Sequence, residues 1–251
     1  MKTVPFAKLS LAAILCLSAF TLPAQFKLSN VELGADINNF IYQGDLTPPK
    51  IGSLKTMTWG LDIYGSYKLN SKFSLKTQLL FGSLKGDESR YSKPAYRQQR
   101  NFAFTTPVTE ISENIVWNIV PPATQGGARL TPYLSAGVGY AFLHIRRDYS
   151  RFNAAYFGPE SFVTIGLGVD TIHSVPGGLL VLPVSAGLRY ALTNKWSLNL
   201  ETTYRLNSSD YLDGFSQSAN TERKDHFFTN AIGVIYTFGK ASNMLKCPTV
   251  K

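Results

Sequence analysis

The chain has 251 residues, of which 44% are hydrophobic and 16% charged, and its formal net charge at pH 7 is +9. This length is sufficient for one domain. The low charged fraction argues against a small soluble protein with a large water-exposed surface. Beyond the N-terminal segment, no run of about 18 or more apolar residues occurs, which excludes a transmembrane helix from the rest of the chain.

The N-terminal residues have the layout of a secretory signal peptide. Two lysines in MKTVPFAK precede the apolar run LSLAAILCLSAFTL, which PAQ follows. We predict cleavage after Ala24, so that residues 1–24 are the signal peptide and residues 25–251 form a single barrel domain. Cleavage leaves Cys247 as the one cysteine, which precludes an intramolecular disulfide. Because export is predicted, the positive charge does not indicate nucleic-acid binding.

Eight segments of the mature chain alternate apolar and polar residues with period two, which predicts β-strands. In chain order they are residues 30–41, 57–68, 73–82, 109–120, 131–142, 182–192, 194–207 and 226–239. Most have the ~10 residues that a tilted strand needs to cross hydrocarbon, and bacterial barrels contain an even number of strands. Glu113 interrupts the alternation by falling on the apolar side, which a β-bulge or a register shift would explain.

Short and long connections alternate between these segments. The second and third strands are joined by NS, the sixth and seventh by TNK, and the fourth and fifth by PPATQGGARL. The other four connections are longer, including residues 144–180 between the fifth and sixth strands. In outer-membrane barrels the short turns are periplasmic and the long loops extracellular. We therefore expect both chain ends at the periplasmic rim.

The polar face of the strands decides which side of the wall faces inward. Bulky apolar residues would overfill the narrow interior of an eight-stranded barrel, whereas small residues and paired charges fit there. The apolar face then contacts lipid, and aromatic residues near the strand ends form girdles at the membrane interfaces. These aromatic residues are Trp59, Trp117, Trp196, Tyr190, Tyr204, Tyr236 and Phe238. We predict an all-β fold, an eight-stranded antiparallel transmembrane β-barrel of OmpA-like size; a soluble secreted sandwich or lipocalin-like barrel is the alternative.

The inward face carries five acidic and four basic side chains. They are Glu32, Asp36, Asp62, Lys68, Lys76, Glu110, Arg189, Glu201 and Arg205. Buried charges are tolerated when they are paired, so we expect a lumen charge network that plugs the barrel. Glu201 and Arg205 are four residues apart on one strand, too far for direct contact, and each is expected to pair with a neighbouring strand.

Five motifs along the mature chain match a known pattern. They are YQGDL at 42–46, RNFAFTTPVTEIS at 100–112, TPYLSAGVG at 131–139, SDYLDGFS at 209–216 and the closing IGVIYTFGKASNMLKCP. These motifs resemble an outer-membrane β-barrel family of Bacteroidota that includes PorG of the type IX secretion system. The resemblance implies a non-enzymatic barrel, without cofactor, that associates with a periplasmic ring of PorK and PorN-type proteins. Residues 144–180, with RRDYSRFNAAYFGPE, depart from the family pattern.

Two groups of basic residues with interleaved aromatics lie in the predicted loops. The first includes Arg97 and Arg100, and the second includes Arg146, Arg147 and Arg151. Arginine can bind the phosphates of lipopolysaccharide or an acidic protein partner through bidentate and stacking contacts. The alternative is an ordinary solvated loop.

A cluster of aspartates and one histidine near the same rim raises the possibility of hydrolytic catalysis. Asp210, Asp213, Asp225 and His226 lie close in sequence, and barrel hydrolases place such residues at the rim, where a base activates water. The alternative is turn chemistry, which Asp and Gly favour. The three histidines fall in separate segments without ligand spacing, so we expect no metal site. A glycine-rich phosphate loop is also absent, since glycines such as Gly137 and Gly139 lie inside a predicted strand, and we expect no cofactor and no small-molecule substrate.

Three functions remain open from the sequence. The first is a structural or interaction component of the outer membrane, PorG-like, whose partners are membrane lipid, lipopolysaccharide and periplasmic ring proteins. The second is a general envelope barrel or adhesin with no secretion role. The third is a rim hydrolase.

Overall fold

The computed structural model describes residues 27–49, 51–122, 129–207, 211–219 and 225–239. The predicted signal peptide and Cys247 lie outside these residues, as do Asp210 and most of the PPATQGGARL connection.

Within these residues, one antiparallel sheet contains eight long strands and one short strand. They are β1 (Val31–Gln43), β2 (Thr58–Lys68), β3 (Phe73–Asp87), β4 (Ala103–Asn118), β5 (Leu130–Leu143), β6 (Arg146–Asp148), β7 (Gly178–Ala191), β8 (Trp196–Asn207) and β9 (His226–Thr237). The long strands pair in the order β1-β2-β3-β4-β5-β7-β8-β9, and β9 pairs with β1, so the sheet closes on itself. The short β6 pairs with the first residues of β4, beyond the end of β5. The predicted eight-stranded barrel is confirmed.

The two faces of the wall have the predicted orientation. On β1, the side chains of Leu33 and Ile37 are 49% and 57% exposed, whereas those of Glu32 and Asp36 are buried. The same alternation runs through the other long strands. An apolar exterior around a closed wall is the arrangement of a membrane barrel. It excludes the soluble alternatives, which would bury the apolar face.

Aromatic residues lie near both ends of the apolar belt. Trp117 and Trp196 are near the short-turn ends of β4 and β8, and Trp59 is near the opposite end of β2. All three side chains are more than a third exposed. Tryptophan at these levels is typical of the two membrane interfaces.

Helices occupy the long loops, at the rim opposite the short turns. They are α1 (Tyr96–Arg100), α2 (Ala154–Phe157) and α3 (Phe162–Ile172), with 3-10 turns at Leu54–Thr56 and Glu88–Arg90. A third 3-10 turn, Leu28–Asn30, precedes β1 at the short-turn rim. The side chain of Ser161 caps α3 by accepting a hydrogen bond from the Thr164 N–H. The connection at 144–180, predicted only as a long loop, therefore contains β6, α2 and α3. None of the helices in the described ranges is long and apolar enough to span a membrane.

Glu113 causes neither a bulge nor a register shift. It pairs with Thr77 of β3 and Val138 of β5 in registers that continue without interruption on both sides. Its carboxylate lies on the outer face and accepts a hydrogen bond of 2.6 Å from the Thr77 hydroxyl. A local polar contact accommodates this acid, so the explanation expected from the sequence is wrong.

The strands β3 and β4 extend further than the alternation predicts. Their pairing continues through Lys85 with Thr105 to Asp87 with Ala103, beyond the predicted strand ends at residues 82 and 109. The barrel wall therefore projects past the apolar belt at the long-loop rim.

The interior has two layers, of which the sequence predicts one. The half nearer the short turns holds polar and charged side chains, as expected. The half nearer the long loops is filled by a buried apolar cluster that includes Phe40, Phe104 and Phe227 from the wall. Phe40 fits because glycines face it on two strands: a Cβ at Gly60 or Gly82 would lie within 2.3 Å of its ring. The expectation that small and polar residues fill the whole lumen is wrong for this half.

Candidate functional site

The polar layer is a set of ion pairs, of which one joins the neighbouring strands β1 and β2 and three cross the lumen. Their nitrogen–oxygen distances are 2.9 Å for Lys68 with Glu32, 2.9 Å for Arg189 with Glu32, 2.8 Å for Lys76 with Glu201, and 2.7 Å for Arg205 with Glu110. All of these side chains are buried. Each cation therefore has a carboxylate in direct contact, which is the condition under which buried charges are tolerated.

The partners of Glu201 and Arg205 are not on neighbouring strands. Both residues lie on β8, which pairs with β7 and β9. Lys76 belongs to β3 and Glu110 to β4, on other parts of the wall. The lumen is narrow enough for long side chains to reach across it, so the expectation of pairing along the wall is wrong.

Asp36 and Asp62 are held by neutral donors. They face each other across β1 and β2, and no ion pair within the described residues includes either of them. Asp36 accepts hydrogen bonds from the Asn199 amide at 2.6 Å and the Tyr64 hydroxyl at 3.3 Å. Asp62 accepts a hydrogen bond of 2.7 Å from the Gln78 amide. The structure thus places all nine predicted lumen charges inside the barrel and divides them between ion pairs and amide contacts.

Two tyrosines that sequence reasoning did not single out complete the layer. The Tyr133 hydroxyl lies 2.8 Å from both Asn199 Oδ1 and Glu201 Oε2. Each tyrosine is opposite a glycine on the adjacent strand, Tyr64 opposite Gly34 and Tyr133 opposite Gly187. A Cβ at either glycine would come within 2.3 Å of the facing ring. An inward tyrosine opposite an inward glycine is the sequence signal that could have found them.

The cavity that the described residues enclose within the polar layer is very small. A cavity of about 10 Å³ lies among side chains that include Tyr64, Lys76, Tyr133 and Arg189. This volume is at the lower limit for one water molecule. The lumen is therefore closed at this level as well as by the apolar cluster.

The apolar cluster continues into the long loops, which fold into a cap over the mouth of the barrel. Phe102 and Phe215, from two different loops, stack with ring centroids 4.4 Å apart, and both are fully buried. Leu46 and Leu212 come from two loops and are also fully buried in the apolar cluster. The loops are thus packed against the wall and against one another.

Arg97 and Arg100, predicted to bind a partner, lie inside this cap. Both contact the buried carboxylate of Glu88, at 2.8 Å and 2.6 Å. Burial lowers the pKa of the Arg100 guanidinium, but its hydrogen bonds and charge interaction with Glu88 outweigh that effect and raise the pKa above its ordinary value. This cluster joins α1 to the start of the β3–β4 loop.

The other three predicted arginines have different environments. Arg147 is half-buried and donates hydrogen bonds to the carbonyl oxygens of Asp170 and Gly214. Arg146 and Arg151 are exposed. Nearby, hydrogen bonds from the Ser150 hydroxyl and backbone N–H hold the pKa of Asp148 below its ordinary value. Of the five arginines predicted to bind a partner, Arg97, Arg100 and Arg147 therefore stabilise the cap, whereas Arg146 and Arg151 face outward.

Two of the predicted hydrolase residues, Asp213 and Asp225, meet at the Tyr42 hydroxyl, but His226 does not join them and Asp210 lies outside the described residues. Both carboxylates are buried, and the Tyr42 hydroxyl, which carries one donor proton, lies 2.6 Å from an oxygen of each. They also accept backbone hydrogen bonds from residues of the same loop. His226 lies at the start of β9, where its ring packs against Tyr204 on the outer face at 5.6 Å. In the described ranges, no group of three or more His, Cys, Asp or Glu side chains could hold a metal ion.

Comparison with known proteins places this architecture among outer-membrane barrels. The model of a family described as outer membrane protein beta-barrel domain matches residues 9–238. Among solved structures, the chain is similar to Neisserial surface protein A, with TM-score 0.47 and 14% identity over 83% of this chain and 97% of that chain. It is also similar to OprG of Pseudomonas aeruginosa, with TM-score 0.47 and 11% identity over 84% and 96% of the two chains. For Ail of Yersinia pestis the TM-score is 0.43 and the identity 13%, over 83% and 99%. No curated protein matches the sequence.

Proposed function

Because the chain belongs to the outer membrane protein β-barrel domain family, we propose that this integral outer-membrane protein is a non-enzymatic structural or interaction component. The observation that carries the proposal is the closure of the lumen by ion pairs and by an apolar cluster. A solute would have to separate buried ion pairs and displace packed aromatic rings. Such a molecule acts through its surfaces.

The more specific proposal is a PorG-like role in the type IX secretion system, with a periplasmic ring as partner. Its support is the resemblance of the sequence motifs to the Bacteroidota family that includes PorG. In such a role the short-turn rim is the contact surface, because short turns are periplasmic in outer-membrane barrels. The turn at Asn70, Ser71 and Lys72 and the turn at Asn194 and Lys195 are exposed there.

Site-specific crosslinking tests this role. In a Cys247→Ser background, a cysteine-directed photocrosslinker is placed at Ser71→Cys in the short-turn rim, and at Ser92→Cys in a long loop as the matched control. Both serines are exposed. We expect periplasmic ring proteins of the PorK and PorN type to be captured from Ser71→Cys in native membranes and not from Ser92→Cys. Equal capture from both positions, or none from Ser71→Cys, contradicts a ring contact.

A general envelope barrel or adhesin with no secretion role is the second candidate, and one surface favours it. Along α3, four apolar side chains at helical spacing are between 49% and 88% exposed: Phe162, Ile165, Val169 and Ile172. An unpaired apolar stripe on an extracellular helix is typical of a protein contact surface.

A whole-cell assay separates the second candidate from the first. The double substitution Ile165→Lys with Ile172→Lys should reduce adhesion of cells to protein-coated surfaces severalfold and leave secretion unchanged. Thr171→Lys, on an exposed position of α3 outside the stripe, is the control. A loss of secretion with normal adhesion argues against the adhesin.

A further inference from the structure

The projecting part of the wall carries an open cavity of about 400 Å³ between β3, β4 and β6 on the outer face. Its floor is made by the small side chains of Ala103 and Thr105. Lys85, Arg146 and Arg151 lie around it. We call this cavity the basic groove. Its volume is in the range of sites that hold small ligands, about 300–1,000 Å³.

Strand register places two of the cations on opposite sides of the floor. Lys85 pairs with Thr105, and Thr105 pairs with Arg146 on the other side. Adjacent strands are about 4.8 Å apart, so the Lys85 and Arg146 backbones are separated by roughly 10 Å. A phosphate-sized group above Thr105 is within reach of both side chains.

The three cations of the groove make few contacts with the acids of the fold. Lys85 and Arg146 form no ion pair within the part of the chain that the structure describes. Arg151 makes a long contact of 3.8 Å with Asp87 and is half exposed. By contrast, Arg97 and Arg100 are committed to Glu88 inside the cap.

Two acids, Asp87 and Asp148, also line the groove, on either side of Ala103, and both have local hydrogen-bond partners. Asp87 accepts hydrogen bonds from the Ser89 N–H and hydroxyl. Asp148 does the same with Ser150. Both carboxylates thus stabilise turns at the upper edge of the groove. Asp87 lies two residues beyond Lys85 on β3, and Asp148 lies two residues beyond Arg146 on β6, in both cases away from the membrane. The lower edge, toward the membrane, carries the cations alone.

The depth of the groove relative to the membrane follows from the same registers. Phe81, Thr109 and Phe142 form a row across β3, β4 and β5, and the two phenylalanines are 41% and 54% exposed at the top of the apolar belt. Lys85 is four residues further along β3, which is about 13 Å along the strand or roughly 10 Å in height for a tilted strand. This is the depth of lipid headgroups above the hydrocarbon.

We propose that the basic groove binds a phosphorylated sugar, supplied by the headgroup of a glycolipid in the outer leaflet. Arg146 and Arg151 bind the phosphate oxygens through charge-assisted hydrogen bonds and Lys85 as a point charge, while the sugar lies over Thr105 and Ala103. The acyl chains then run down past Phe81 and Phe142 along the apolar belt.

The test uses the full-length barrel in phosphatidylcholine nanodiscs to which lipid A is added. Lys85→Gln with Arg146→Gln removes two groove charges. Lys72→Gln with Lys195→Gln removes two charges at the opposite rim, where both side chains are exposed. Retained lipid A is measured by native mass spectrometry, and folding of each variant is checked by its unboiled gel migration.

We expect the groove variant to bind lipid A at least about tenfold more weakly than the wild type, since each lost charge-assisted contact exceeds an ordinary hydrogen bond. The rim variant should bind as the wild type does, and dephosphorylated lipid A should bind weakly to all three. Equal binding by the groove variant and the wild type, or undiminished binding of dephosphorylated lipid A, overturns the proposal. Retention of inorganic phosphate without retention of lipid A contradicts the proposal that the phosphate belongs to a glycolipid headgroup.

Discussion

At the residue scale, two glutamates on one strand lie in opposite environments. Glu110 and Glu113 both lie on β4, but Glu110 is fully buried in the lumen and contacts Arg205 at 2.7 Å. Glu113 faces outward and contacts only the Thr77 hydroxyl among the described hydrogen bonds. Three residues along a strand change the face of the wall, because side chains alternate with period two.

This pair of glutamates provides an internally controlled prediction. Glu110→Gln leaves the buried guanidinium of Arg205 without a counter-charge, so we expect the free energy of unfolding to fall by about 3–5 kcal/mol. Glu113→Gln removes a charge from the lipid-facing wall and should leave stability unchanged or higher. Urea unfolding of the refolded barrel in lipid vesicles, followed by tryptophan fluorescence, measures both.

A third variant distinguishes charge from packing in the lumen. In Glu110→Gln combined with Arg205→Met, no unpaired charge remains, and most of the lost stability should return. If the double variant is as unstable as the sum of its single variants, the ion pair is not the cause of the loss.

Much of this residue-level arrangement follows from the alternation, and part of it does not. The inward direction of Glu201 and Arg205 is readable from period two, but their partners Lys76 and Glu110 lie elsewhere in the chain. Which long side chains meet across a lumen depends on strand order, stagger and tilt, none of which is encoded locally. The neutral contacts of Asp36 and Asp62 have the same cause.

At the element scale, a single helix residue connects two loops of the cap. The carboxylate of Asp170 on α3 is fully buried and accepts hydrogen bonds from the backbone N–H groups of Ser216, Gln217 and Ser218 and from the Ser218 hydroxyl. At Gly166 on the same helix, a Cβ would lie 2.2 Å from the Gln217 carbonyl oxygen. The helix therefore packs directly on the backbone of the β8–β9 loop.

Removing this carboxylate should open the cap without unfolding the barrel. In Asp170→Asn the new amide can satisfy fewer of the four donors, and we expect a local cost of about 2–3 kcal/mol. Hydrogen exchange and limited proteolysis of the loop at 211–219 should accelerate by about 30- to 150-fold, while the gel shift on heating stays unchanged.

Asp148→Asn is the matched control for that experiment. Asp148 is an exposed loop aspartate whose hydrogen bonds go to its own turn at Ser150. Its substitution should leave the exchange rates at 211–219 within a factor of two or so of the wild type. Equal acceleration in both variants contradicts a specific role for Asp170.

At the scale of the whole molecule, two barriers of different chemistry close the same lumen. Ion pairs fill the half nearer the short turns, and aromatic side chains such as Phe40 and Phe227 fill the other half beneath the folded loops. Because either barrier would block a solute, the described part of the barrel leaves no continuous aqueous path through the lumen.

The expected functional result is the absence of conductance. Purified barrel in planar bilayers should show no persistent channel at neutral pH and physiological salt, and liposomes containing it should not swell with small sugars. The double variant Phe40→Ala with Phe227→Ala is expected to remain closed, because the charged layer is intact. A stable open current from the wild type contradicts the sealed lumen.

The sequence by itself determined the fold class, the approximate positions of the eight long strands, the outward direction of the apolar face and the identity of the nine lumen charges. It could do so because a barrel strand must bury alternate residues, and this requirement produces a period-two pattern of polar and apolar residues within each strand. The tertiary structure alone decided which charges meet, which loop arginines are free to bind, and how the mouth is capped. Those outcomes depend on contacts that the local sequence pattern does not specify. The pairing of β3, β4 and β6 brings Lys85 and Arg146 to one groove. Ion pairs with Glu88 hold Arg97 and Arg100 inside the cap, away from solvent.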